Sequence, residues 1–206
     1  MKIQPLPLLL LSLFLLVLSG CKTQEGTVTF ETPPSPPPAP SELEGSWVTA
    51  CLGPDAQGDY SKETFVFTGP NLQVLKVGYG NDSLCTFQTH THDMQVTTTV
   101  GNPITDANGQ AVKELDATVI SSDLTFHLAT LTDSINATGG WCQKIDWVIE
   151  SPVSVLGCIE MGGMLQGDLL KTIYQLQGNV LFLGSDVSQD TTGRDNSLNP
   201  NGYTKL

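Results

Sequence analysis

Thr64-Phe65-Val66-Phe67-Thr68 places an aromatic ring at every second position, and the run stops at Gly69-Pro70-Asn71. A period of two is the strand period, because successive side chains of an extended chain leave opposite faces. Glycine and proline then break the run, and residues 72–79 resume it with leucine and valine, so residues 64–79 read as a β-hairpin.

The same grammar extends outward in both directions. Residues 85–90 and 94–100 are further runs rich in β-branched or aromatic side chains. Asp106-Ala107-Asn108-Gly109 ends in a pair suited to positive φ, so a turn is expected there. Residues 112–120 and 124–128 alternate again, and Trp147-Val148-Ile149 is a short apolar run. Residues 169–176 and 180–183 flank Gln177-Gly178-Asn179 as a second tight hairpin, and Tyr203-Thr204-Lys205-Leu206 reads as a last strand. No amphipathic helix of three turns emerges. Nine or ten short strands separated by turn signals predict an all-β domain, either a barrel or a β-sandwich.

The N-terminus carries a different signal. Lys2 precedes an apolar stretch over residues 8–18, which is short for a membrane span, and Leu18-Ser19-Gly20-Cys21 closes it. That tetrapeptide resembles the bacterial lipobox. The resemblance implies a signal peptide over residues 1–20, cleavage before Cys21, and acylation of the thiol and the new amine. Two or three acyl chains would anchor the chain firmly, since each buried methylene contributes about 0.8 kcal/mol. In enteric-type sorting, Lys22 after the cysteine implies the outer membrane, with the domain facing the periplasm or the cell surface. Residues 21–41 then form the lipidated start and a tether, whose Thr32-Pro33-Pro34-Ser35-Pro36-Pro37-Pro38-Ala39-Pro40 favours polyproline II. Residues 42–206 make one β domain, large enough for a single core.

Charge excludes one class of partner. The formal net charge is −12, and loss of residues 1–20, which hold Lys2 and no acidic residue, makes it −13. Arg194 is the only arginine. A chain with no basic footprint does not bind nucleic acid. It also disfavours direct contact with anionic lipid heads.

Gly45-Ser46-Trp47 opens the domain and is similar to the Gly-x-Trp signature of the first lipocalin strand. The resemblance implies an eight-stranded up-and-down antiparallel barrel closed at one end by Trp47. It also implies a basic residue near the C-terminus packed over the ring in a cation–π contact. Arg194 matches that place in the sequence. The family's Thr-Asp-Tyr-type motif has no counterpart here.

Four cysteines remain after Cys21, which in an exported domain reads as two disulfides with three possible pairings. Cys51–Cys85 and Cys142–Cys158 are preferred because each joins neighbouring segments. The loop of the second would contribute about 3 kcal/mol by chain entropy. A four-thiolate zinc site is disfavoured because no Cys-x-x-Cys pair exists.

The only local cluster of candidate ligands is His90-Thr91-His92-Asp93. On a strand His90 and His92 share a face, Asp93 points away, and His127 could supply a third ligand from another strand; imidazoles suit zinc, copper or nickel. Asp106, Asn108 and Gly109 begin like a calcium loop but lack its twelfth-position glutamate, and the acidic stretch over residues 186–195 is equally incomplete. Turn chemistry explains both. The methionine- and glycine-rich residues 158–165 could form a packed loop or a lid at a barrel mouth. No nucleophile elbow, zinc-helix motif or phosphate-cradling loop occurs, so the chain is not read as an enzyme and no cofactor is expected. Three readings remain: a lipid-anchored envelope module that displays an interaction surface to an envelope protein, a lipocalin-like carrier of a small apolar ligand, and a metal binder using His90 and His92.

Overall fold

The computed structural model describes residues 42–185 and 192–206. Residues 1–41, on which the expected signal peptide, the lipidation at Cys21 and the expected tether fall, lie outside the described residues, as do residues 186–191 of the acidic stretch. The strands are β1 Gly45–Val48, β2 Ser61–Thr68, β3 Asn71–Gly78, β4 His90–Thr105, β5 Ala111–Phe126, β6 Val153–Ser154, β7 Leu169–Gln177, β8 Val180–Leu183 and β9 Tyr203–Lys205. Among the described residues one α-helix, α1 Ala129–Ala137, follows β5, and a single 3-10 turn spans Ile159–Met161.

Eight strands pair in the ring β1-β2-β3-β4-β5-β7-β8-β9, and β9 returns to β1. All these pairings are antiparallel. The domain is therefore the closed lipocalin-like barrel and not a sandwich. Closure pairs every strand of the ring on both sides over part of its length, and β5 is left by β7 beyond Thr118. The ninth strand, β6, pairs with β5 at Asp123 and Leu124, above the stretch Lys113–Thr118 that β7 occupies.

Period-two alternation builds the interior. Phe65 and Phe67, Leu72 and Val74, Met94 and Val96, and Leu115, Ala117 and Val119 all belong to one core with Tyr174, Leu181 and Tyr203. At one end of this core Trp47 is 1% exposed, and its indole N–H donates to the Leu43 carbonyl at 2.8 Å.

The cation over that ring is Lys205, not Arg194. Lys205 is the cross-strand partner of Trp47, and its Nζ lies 5.0 Å from the ring centroid. Arg194 is buried instead against β5. Its Nη2 donates to Asp116 Oδ1 at 2.6 Å, its Nε lies 3.2 Å from Glu114, and Nη1 donates to the Thr172 carbonyl at 2.8 Å. Charge-assisted bonds to two carboxylates hold a guanidinium more strongly than an aromatic face does.

Two strands are sixteen residues long, and both exceed the runs expected from the sequence. Residues 94–100 lie within β4, and residues 112–120 and 124–126 within β5. The β4–β5 ladder shifts register between Gln95 and Val96 and again between Val100 and Pro103. At the first shift Ile120 is the extra residue, because Ser121 pairs with Gln95 and Val119 with Val96. A bulge resets which parity faces inward. Val119 and Ser122 are thus both buried, whereas Ile120 is exposed, and the alternation looks interrupted.

Other expectations differ more. Of residues 85–90 only His90 is in a strand. The preceding loop is instead held by the Cys51–Cys85 disulfide and by Asp82, whose carboxylate accepts N–H bonds from Leu84, Thr86 and Phe87. Trp147-Val148-Ile149 is not a strand; the Trp147 N–H and C=O are both bonded by the Asn136 side chain. Helix α1 is too short and too rich in Thr, Ser and Asn to announce itself by propensity. It is held by Leu131 and Ile135, four residues apart, against a second core of Leu124, Phe126, Trp147, Val155 and Cys158.

Candidate functional site

The interior of the barrel is not solid. A cavity of about 360 Å³ is lined by Phe65, Leu72, Val74, Met94, Val96 and Leu115, with Leu170, Thr172, Leu183 and Asp195 on the opposite side. Its walls on β2 to β5 are wholly apolar.

One step further along the same strands the inner wall changes character. The register pairs Phe65 with Val74 and Val74 with Met94; two residues on, it pairs Glu63 with Lys76 and Lys76 with His92. Two more residues bring Ser61, Gly78 and His90 side by side. Glu63 accepts the Tyr203 hydroxyl at 2.6 Å and lies 3.4 Å from the Lys76 ammonium. Gly78 is there for its neighbour: a Cβ on it would stand 2.1 Å from Cε1 of His90. The imidazole thus lies over bare backbone, with Nδ1 3.0 Å from the Thr89 hydroxyl.

His90 and His92 do share one face. His92 Nε2 lies 2.7 Å from the Ser122 hydroxyl. Burial lowers the pKa of both rings from the usual 6.5, opposed at His90 by the carboxylate of Asp59. His127 is on the other side of the sheet, with Nε2 2.7 Å from Thr91 and Nδ1 2.9 Å from Glu150. Asp93 also faces away, where it accepts from Gln73 and Gln95. His127 therefore does not join His90 and His92. Among the described residues the one group of three candidate ligand atoms within 4.8 Å is Cys142, Cys158 and Glu160, and its two sulfurs are joined in a disulfide. Asp106 serves its turn, accepting from the N–H groups of Asn108 and Gln110.

The segment between β5 and β7 covers this polar end. The disulfide Cys142–Cys158 ties its two halves together. Residues 158–165 reach both cores, Met161 packing on the second and Met164 on the barrel core. Two further cavities lie under this cover. One, of about 300 Å³, is walled by Phe126, Leu128, Leu131, Ile135 and Trp141. The other, of about 570 Å³, is walled by Asp55, Lys76, His92, Glu160 and Met161. Asp59, His90 and Trp141 line both.

Sequence reasoning missed Lys76, Asp59 and Trp141. Lys76 was legible by counting in twos from Leu72 and Val74, which puts it on the inner face. Asp59 and Trp141 carry no local signal, because both sit in loops whose course is set by the disulfides and the covering segment. Among the described residues, no helix is long and apolar enough to cross a membrane. Comparison with known proteins finds no family model that matches this chain and no curated protein that matches it.

Proposed function

We propose that this chain is a lipid-anchored envelope lipoprotein of the outer membrane whose barrel carries a small apolar ligand. The observation that carries the reading is the apolar cavity of about 360 Å³ inside the barrel. Its size falls in the range of about 300–1,000 Å³ typical of small-molecule sites. Met94 on its wall is flexible and polarisable, which suits a site that adapts to its occupant. The anchor rests on Leu18-Ser19-Gly20-Cys21 and on the tether that would lift the domain from the lipid surface.

Native mass spectrometry of residues 42–206, recovered gently from an oxidising compartment, tests the carrier. An extra mass of roughly a few hundred daltons, as expected for one drug-sized ligand, supports it. The bare mass less four hydrogens for the two disulfides, with no uptake of an apolar fluorescent probe, overturns it. For the anchor, labelling with palmitate should mark the wild-type chain and not Cys21→Ser; label retained in the variant sinks the assignment.

One observation favours a display module as second reading. Leu84 and Phe87 are each 76% exposed on the loop pinned by Asp82 and Cys51–Cys85. Rigid apolar side chains lose little entropy when a partner covers them. Recovery of one envelope protein by the wild type and not by Phe87→Ser would favour that reading.

A further inference from the structure

The covered end of the barrel has a chemistry of its own. Its two cavities share Asp59, His90 and Trp141 as a common wall. On one side of that wall the surroundings are apolar, with Phe126, Leu131 and Ile135. On the other side Asp55, Asp59 and Glu160 face one ammonium, that of Lys76, which is already paired with Glu63 at 3.4 Å. The sign of the field is therefore negative. Burial keeps His90 and His92 toward the neutral form, so the imidazoles do not reverse it.

Two of the shared residues are suited to receive a cation. The backbone N–H of Asp59 is spent within its own loop, donating to Asp55, but its carboxylate has no hydrogen-bond partner among the described residues. Trp141 is held in place by reciprocal backbone bonds with Lys144 at 2.9 Å and by the adjacent Cys142 disulfide. Its ring packs against Phe126 at 5.9 Å between centroids. Tryptophan is the best cation–π partner among the side chains, and the exposed Asp59 adds a carboxylate to the same wall. A carboxylate or phosphate would meet three like charges here. A metal ion would find no third ligand converging on His90 and His92 among the described residues.

We propose that this end of the barrel binds a small organic cation, an ammonium group on an apolar or aromatic frame. The ammonium sits between Asp59, His90 and the Trp141 face, and the frame fills the apolar side against Phe126, Leu131 and Ile135. The site is separate from the barrel cavity and does not depend on its having a ligand.

Calorimetry on the full-length oxidised chain in non-ionic detergent tests this, with phenethylammonium as probe and 2-phenylethanol and 3-phenylpropionate as its neutral and anionic counterparts. Saturable binding of phenethylammonium is expected, with both counterparts weaker by about tenfold or more. Asp59→Asn should weaken the ammonium by a similar factor with an unchanged melting temperature at pH 8, where His90 is neutral, because among the described residues no hydrogen bond uses the Asp59 carboxylate. In Trp141→Leu the ammonium should lose more affinity than the alcohol does. No saturable binding, equal affinity for ammonium and alcohol, or full affinity in Asp59→Asn overturns the proposal. An apolar probe in the barrel cavity should remain bound in Asp59→Asn, so either site can fail without the other.

Discussion

Along β2, β3 and β4 the inner wall of the barrel is two different surfaces. At the Trp47 end it is Phe67, Phe65, Leu72, Val74, Val96 and Met94. Above them Glu63, Lys76, His92 and His90 stand in the same inward positions. The backbone does not distinguish the halves, since the pairing β2-β3-β4 runs unbroken from Thr68 to Ser61 and from Asn71 to Gly78. What differs is depth. At the Trp47 end the wall faces other walls of the ring, so only apolar side chains avoid an unpaired desolvated group. At the upper end the ring is incomplete, because β7 leaves β5 at Thr118. The covering segment there leaves polar cavities, and charged side chains can keep partners.

The largest expected effect tests the closed end. Trp47→Ala removes the largest fully buried side chain among the described residues and leaves the Leu43 carbonyl without its donor. It should cost about 3–5 kcal/mol in denaturant unfolding. An unchanged midpoint would mean that this end is not the tight one, and the contrast with the upper end would collapse.

The matching test at the polar end is Gly78→Ala. The new methyl meets the His90 ring at 2.1 Å, and the overpacking should cost about 1–3 kcal/mol. Gly78→Ala combined with His90→Ala should recover much of that loss. If the double variant is no better than the single, His90 does not rest on Gly78 as described.

A smaller effect separates the two cations. Lys205→Met should lose about 0.5–1 kcal/mol, the worth of a cation–π pair at an exposed site, and should shift the Trp47 fluorescence. Arg194→Met should leave that fluorescence in place while destabilising the β5–β7 side. Reversed signatures would restore Arg194 to the ring.

The smallest effect is a pH slope. Burial lowers the pKa of His90 and His92 from 6.5, so the unfolded chain takes up protons that the folded chain refuses. Above 6.5 both states are neutral there and the groups contribute nothing; as pH falls below it, stability declines toward the lower folded pKa values. The urea midpoint should therefore drop between about pH 7 and 5, and less steeply in His90→Gln/His92→Gln. An identical slope in that variant would show that these rings are not the buried bases at the upper end.

Most of the ring was legible from period-two alternation, because half-buried strands impose that period on their residues. The hairpin Ser61–Gly78 and the hairpin Leu169–Leu183 lie where turn residues and alternation place them. The reading failed where the period is broken by geometry rather than by sequence. The bulge at Ile120 divides β5 into two apparent pieces, and the one at Gly101-Asn102 makes β4 look finished at Val100. Helix α1 gains its order from Phe126 and its neighbours rather than from its own residues.

Sequence by itself determined the all-β class, the two hairpins and their order along the chain, the Gly-x-Trp start, and the acidic balance. These are local or summed properties, fixed by side-chain period, turn chemistry and charge. Only the tertiary structure decided that Lys205 and not Arg194 covers Trp47, that His127 stands across the sheet from His90 and His92, and that Asp59, His90 and Trp141 share a wall. Those relations join residues far apart in the chain. They follow from barrel closure and from a disulfide-tied segment folding back over the upper end, which no local pattern encodes.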